Sequence, residues 1–192
     1  MQVCLYGASS NQIDRRYIDA TERLGEAMAK AGHSMIYGGG GAGLMGAAAR
    51  GMVKGGGRVV GVVPTFLQVD GVLFEGCDEM IYTDTMRQRK QVMEEGAEAF
   101  IITPGGIGTY EEFFEIYTLK QLGRHGKPMI IFNIDGYYDK LLDMLRHTVN
   151  EGFMRPASLA LYTVADTPEQ VLEQLATATT QTVNIHETKF VK

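Results

Sequence analysis

Ala99-Phe100-Ile101-Ile102-Thr103-Pro104-Gly105-Gly106-Ile107-Gly108-Thr109-Tyr110-Glu111-Glu112 runs from a short apolar strand through a glycine turn into a helix. The strand covers 99–103 and the helix runs from 109 to about 123, the pattern of one strand–helix unit in a parallel sheet. Three glycines let the turn come close to a ligand. The amides of a helix N-terminus, at the positive end of its dipole, suit an anion such as phosphate. Glu111 and Glu112 follow within the first turn of that helix. A carboxylate repels phosphate, so the pair is out of place for phosphate gripping alone and in place if it faces a sugar. The stretch reads as a site for a phosphorylated sugar or nucleotide on which something acts.

Outward from this unit the pattern repeats. Further strands are predicted at 3–6, 34–37, 58–63, 79–82, 129–133 and 162–164, and helices at 17–31, 44–54, 85–96, 137–150 and 168–178. Such alternation specifies a Rossmann-like, doubly wound α/β fold: a mostly parallel sheet with helices on both faces. No boundary, repeat or low-complexity stretch divides it, so one nucleotide-binding domain over 1–178 and a C-terminal tail over 179–192 are expected. Ligands in such folds sit outside the carboxyl ends of the strands, where strand order reverses. The order 3-2-1-4-5-6 would bring together the loops after strands 1 and 4, with the glycine turn after strand 5 next door.

Two helices then carry charge on an apolar stripe. Met86, Arg89, Lys90 and Met93 share one face, as do Thr109, Glu112, Phe113 and Ile116. Charge among apolar groups is costly without a partner. Either Arg89 and Glu112 form a structural ion pair or a ligand lies between them, and their place at the cleft end favours the ligand. The helix from Thr109 is apolar on most sides, which predicts burial all round and a homodimer packed at or near it.

Formal net charge is −5 over 192 residues, without the basic footprint of a nucleic-acid binder. No secretory signal or membrane-length apolar run is present, so a cytoplasmic protein is expected. Cys4 and Cys77 are too few for a disulfide framework or zinc cage, and Cys4 reads as a buried thiol. His33, His125, His147 and His186 lack ligand spacing, so no metal is expected. Glycine supplies ten of the twenty residues from 38 to 57. Within them Gly41-Ala42-Gly43-Leu44-Met45-Gly46 matches the dinucleotide fingerprint, yet it follows the second strand, and the next strand ends without an acidic residue for a ribose. Close approach of phosphate or sugar to the 38–43 segment, Gly39 included, or helix-on-sheet packing are the better readings.

Tyr37-Gly38-Gly39-Gly40 through Gly43-Leu44-Met45-Gly46, Met86-x-x-Arg89-Lys90 and Pro104-Gly105-Gly106-x-Gly108-Thr109-x-x-Glu112 together resemble the LONELY GUY (LOG) family. Its members are cytokinin riboside 5′-monophosphate phosphoribohydrolases. The resemblance runs from Val3 to about Leu175 and includes Gly136-Tyr137-Tyr138 and Glu151-Gly152-Phe153. It implies hydrolysis of the N-glycosidic bond of adenosine 5′-monophosphates, often N6-substituted, to the free base and ribose 5-phosphate, without a cofactor. It implies a dimer or larger assembly. It assigns catalysis to Arg89 and Glu112, and substrate contact to Lys90, Gly106, Ile107, Gly108, Thr109, Tyr110, Glu111 and Thr118. Arg87 replaces a usual histidine and Leu119 a frequent aromatic; the second departure bears on the N6 substituent preferred.

Cleavage of a ribosyl–base bond passes through an oxocarbenium-like state. Glu112 could stabilise that charge, hold ribose hydroxyls or activate water, while Arg89 could hold phosphate or polarise the departing base. The amides of Gly105 to Thr109 would cradle the 5′-phosphate. Two rivals are a non-catalytic carrier of a phosphorylated cofactor, which would not need the Arg89 and Glu112 pair, and a lysine decarboxylase. The latter needs pyridoxal phosphate on a lysine, and neither Lys54, Lys120 nor Lys127 has the context for it.

Overall fold

The computed structural model describes residues 1–69 and 71–190. Among them β1 (Gln2–Tyr6), β2 (Ser34–Tyr37), β3 (Val59–Pro64), β4 (Glu79–Thr83), β5 (Ala99–Ile102), β6 (Met129–Phe132) and β7 (Thr163–Ala165) form one parallel sheet. Their order is β4-β3-β2-β1-β5-β6-β7. The helices are α1 (Arg15–Lys30), α2 (Gly43–Lys54), α3 (Met86–Gly96), α4 (Ile107–Gln121), α5 (Asp139–Asn150), α6 (Pro168–Thr177) and the short α7 (Ile185–Thr188).

Side chains alternate along a strand, so each strand feeds two cores. Val3, Leu5, Met35, Tyr37, Ala99 and Ile101 pack beneath α1, α2 and α6. Cys4, Tyr6, Ile36, Phe100 and Ile102 pack against Met93 of α3, Phe113 and Tyr117 of α4 and Leu142 of α5. A sheet covered on both faces needs strands that are apolar throughout, which is how these read. Crossovers between parallel strands are right-handed, so progress from β1 to β3 and from β5 to β7 in opposite directions puts their helices on opposite faces.

The expected strand order is wrong in one respect. β4 does not lie beside β1; β5 does, and β4 forms the far edge beside β3. The cause is local. The only helical element described between β3 and β4 is the single turn Thr65–Leu67. That is too little helix to cover a crossover of several strands, so the chain simply adds its next neighbour. The return falls to α3, which touches β4, β3, β2 and β1 on its way to β5.

Two further expectations shift. α4 begins at Ile107, with Gly106 as its N-cap, so its first turn holds no carboxylate and Glu111 and Glu112 stand in the second. Nor is α4 buried all round in the single chain: Thr118 is exposed, while Phe114 and Leu119 are half-buried. The segment after α6 is docked, since Ser158 Oγ donates to the Thr188 carbonyl at 3.0 Å and Thr188 Oγ1 donates to the Gln121 carbonyl at 2.6 Å.

Candidate functional site

β1 leads into α1 on one face of the sheet and β5 into α4 on the other, which opens a crevice between the two loops at their carboxyl ends. The Ala8 amide donates to the Pro104 carbonyl at 3.0 Å and ties the loops together. A cleft of about 330 Å³ lies here, lined by Ala8, Ser9, Met45, Met86, Arg89, Gly106, Ile107, Gly108, Thr109, Glu111 and Glu112.

Arg89 arrives by way of the long α3 crossover. A capping box between Thr85 and Gln88 fixes where α3 starts and so which residue turns inward one turn later. The Arg89 side chain is 9% exposed; its Nε donates to the Val62 carbonyl and its Nη1 to Glu112 Oε1, both at 3.1 Å. A methyl group on Gly38 would overlap this guanidinium, so the glycine stretch after β2 makes room for the arginine. Glu112 is nearly as enclosed, at 12% side-chain exposure. Burial pushes its carboxyl up to about 7 against the pull of Arg89. Acid and base forms are thus both accessible near neutrality, as general acid–base or charge-stabilising work requires. The favoured reading, a ligand between Arg89 and Glu112, gives way to a direct pair, which forms one wall of the cleft.

The opposing wall is the turn. Gly106, Ile107 and Gly108 are exposed at the N-terminus of α4, where no side chain caps the helix. Among the described residues no protein group accepts from the amides of Ile107, Gly108 and Thr109. First-turn amides have no partner within the helix, and here they face a cleft. The turn is held from behind. Tyr137 Oη donates to the Gly105 carbonyl and Tyr138 Oη to the Thr103 carbonyl, each at 2.7 Å. These tyrosines leave a tight knuckle in which Asp135 has φ 51° and Asn133 Oδ1 accepts from the Tyr138 amide at 2.7 Å. In the sequence they stand out only as part of the family resemblance. No local pattern shows that their hydroxyls reach back across the sheet to the turn.

The other predicted residues divide. Lys90 is turned away and paired with Glu111 and with Glu115, the latter at 2.7 Å. Tyr110 packs edge-on against Tyr138. Gly105 is buried beneath the turn, Gly39 packs on Val63 and Met80, and Thr118 lies exposed far along α4. None of these five lines the cleft, whereas Met45, which was noted only within a glycine stretch, does.

The fingerprint-like stretch resolves as packing. The Leu44 and Met45 amides donate to the Ala8 carbonyl at 2.8 and 3.3 Å, and the Gly43 amide donates to Asn11 Oδ1 at 2.8 Å. The N-terminus of α2 is therefore capped by the loop after β1.

Pyridoxal phosphate would need a phosphate cup and a free lysine in one cavity. Lys54 pairs with Glu26 at 2.7 Å, while Lys120 and Lys127 donate to backbone carbonyls and do not line the cleft. The residues present do not fit that cofactor.

Known proteins resemble this chain in sequence and in fold. Residues 45–175 match a family described as "Possible lysine decarboxylase". A probable cytokinin riboside 5′-monophosphate phosphoribohydrolase of Oryza sativa subsp. japonica is 38% identical over 91% of this chain and 71% of its own. A cytokinin riboside 5′-monophosphate phosphoribohydrolase of Arabidopsis thaliana is 37% identical over 91% of this chain and 82% of its own. Among solved structures, the molybdenum cofactor binding protein of Rippkaea orientalis superposes with a TM-score of 0.68 at 22% identity, covering 91% of this chain and 93% of that one. The molybdenum cofactor carrier protein of Chlamydomonas reinhardtii gives 0.69 at 19%, covering 91% and 95%. At such identities the likeness is one of fold.

Proposed function

The chain belongs to the LONELY GUY (LOG) family of phosphoribohydrolases, and from that premise we propose that Arg89 and Glu112 cleave the base from a nucleoside 5′-monophosphate bound across the cleft. The enzyme is a hydrolase of N-glycosidic bonds; it releases the free base and ribose 5-phosphate. The observation that carries the assignment of residues is the buried Arg89–Glu112 pair at 3.1 Å, facing the open helix terminus of the glycine turn in one cleft.

In this reading the amides of Ile107, Gly108 and Thr109 take the 5′-phosphate. That group does not react, so its binding goes into holding the ribose against Glu112. As the bond to the base breaks, positive charge develops on the ribose, and the Glu112 carboxylate stabilises it or draws a proton from the attacking water. Arg89 keeps that carboxylate in place and presents a donor to the cleft. Lys90 holds Glu111 at the rim and reaches substrate only by leaving that pair.

The proposed assembly is a homodimer. Its support is the partly uncovered outer side of α4, where Thr118 and Leu122 are exposed and Leu119 is half-buried. A second copy there would bring Thr118, which this chain alone leaves outside the cleft, into an interface. A monomer by sedimentation at micromolar concentration refutes it.

Base release from AMP and from N6-isopentenyl-AMP, followed by chromatography with Arg89→Ala and Glu112→Gln alongside, tests the site. Base and ribose 5-phosphate from the wild type, and little from either variant, is the expected result; adenosine should react far more slowly than AMP. Full activity in Glu112→Gln overturns the assignment. Tight AMP binding without release points to a carrier.

A further inference from the structure

At the end of the sheet opposite the cleft, the starts of β6 and β7 meet α4, α6 and the segment after α6 around a cavity of about 200 Å³. Lys120 forms part of its wall and is only 2% exposed. Its ammonium donates to the Lys127 carbonyl at 2.8 Å. Among the described residues no carboxylate stands within ion-pair distance of it. An ammonium has three donors and a full charge, and burial without a counter-charge is expensive. Burial lowers its pKa to about 8, so it still carries its charge at neutral pH. Among the described residues the rest of the wall holds no charged side chain. Thr163 Oγ1 donates to Gln174 Oε1 at 2.6 Å, which uses both groups, and Met129, Ile130 and Leu161 supply an apolar side.

We propose that this cavity binds a small organic monocarboxylate, with its head group on the Lys120 ammonium and its short carbon chain against Met129, Ile130 and Leu161. One buried positive charge matches one negative charge. A phosphate dianion or a dicarboxylate would bring a second charge that the neutral wall cannot meet. The volume is below the range of about 300–1,000 Å³ usual for ligand pockets, which limits the guest to an acid of a few carbons and excludes a nucleotide. The site is separate from the cleft and does not depend on what the cleft does. It shares one element with it, since Lys120 and Glu112 lie eight residues apart on α4, about 12 Å along the helix.

Isothermal titration of the full chain with butyrate tests this, with butanol, succinate and inorganic phosphate as comparison ligands. Saturable butyrate binding with Kd on the order of 1 mM is expected, within reach of a guest of six heavy atoms. Lys120→Met and Lys120→Gln should each weaken it at least about tenfold, the size of one lost charge-assisted contact. The glutamine keeps a donor for the Lys127 carbonyl, so a correctly folded protein without the charge is available. Arg89→Ala should bind butyrate as the wild type does, and both lysine variants should release base from AMP at the wild-type rate. No saturation in the wild type, equal affinity for butanol, or binding retained in Lys120→Gln overturns the proposal. Binding lost in Arg89→Ala would place the acid in the catalytic cleft and overturn it as well.

Discussion

Two glycine-rich turns open two helices in this molecule, and they do opposite work. At the start of α2, the amides of Gly43, Leu44 and Met45 are taken by Asn11 Oδ1 and the Ala8 carbonyl. At the start of α4, the amides of Ile107, Gly108 and Thr109 have no protein acceptor among the described residues, and the turn borders a cleft. Glycine content therefore does not distinguish a packed turn from an open one. What distinguishes them is whether something in the fold already accepts from the amides, and that depends on a loop thirty residues away.

The sharpest way to separate the two turns is to disable the chemistry beside only one. Glu112→Gln should lower kcat/KM at least about 100-fold, the scale of a positioned acid–base group, with the fold intact. The wild-type profile should also carry its signature. Burial puts the Glu112 carboxyl at about 7, and the ionised form is the one that faces developing positive charge, so the rate rises with pH through about 7 and levels above it. Loss of that limb in Glu112→Gln ties it to this group; a wild-type rate that falls through the same range assigns Glu112 the acid role.

Next in size is the packed turn. Gly43 has φ 60°, and a methyl there would strike the Ala8 carbonyl. Gly43→Ala should cost about 2 kcal/mol of stability, read as a fall in Tm of several degrees, with KM unchanged in the folded protein. Gly108→Ala should do the reverse. Nothing lies within 4 Å of the added methyl, so Tm should hold, while KM for the nucleotide rises about tenfold as the methyl crowds the amides. If Gly108→Ala unfolded the protein and Gly43→Ala spared it, the two assignments would be inverted.

The smallest effect belongs to the support behind the open turn. Tyr137→Phe removes one hydroxyl from the Gly105 carbonyl, worth about 1 kcal/mol. A several-fold rise in KM with kcat held would mark Tyr137 as a positioning residue. An equal loss in stability without a KM change would reduce it to packing.

Much of this was legible in the sequence, for identifiable reasons. The doubly wound sheet follows from apolar runs and helical stripes that must cover both faces, and both appear at the predicted places. Arg89, beside Lys90, and Glu112 were visible as charges on apolar stripes, but the favoured reading put a ligand between them, whereas the structure pairs them directly. The strand order was not legible, because nothing in the residues of β4 says which edge it joins; only the short helical turn Thr65–Leu67, the one helical element among the described residues between β3 and β4, hints at it. Nor could the sequence show that Gly38 clears space for a guanidinium more than fifty residues later, or that Ala8 consumes the α2 amides, since both depend on loops meeting in three dimensions.

The α3 crossover has a consequence for folding and for local opening. Among the described residues β4 is a sheet edge paired with β3, and of its five residues Thr83 alone is buried. α3 follows directly on this edge strand, with its cap at Thr85 and Arg89 one turn in, so the guanidinium is delivered to the cleft from the margin of the sheet. An excursion that peels β4 and α3 away would leave β1, β5 and the glycine turn paired as before, yet withdraw the guanidinium from Glu112. Edge strands of this kind exchange their amide hydrogens ahead of the core. Amide exchange shared by β4 and α3 would therefore report how often an otherwise ordered molecule has Arg89 withdrawn from Glu112.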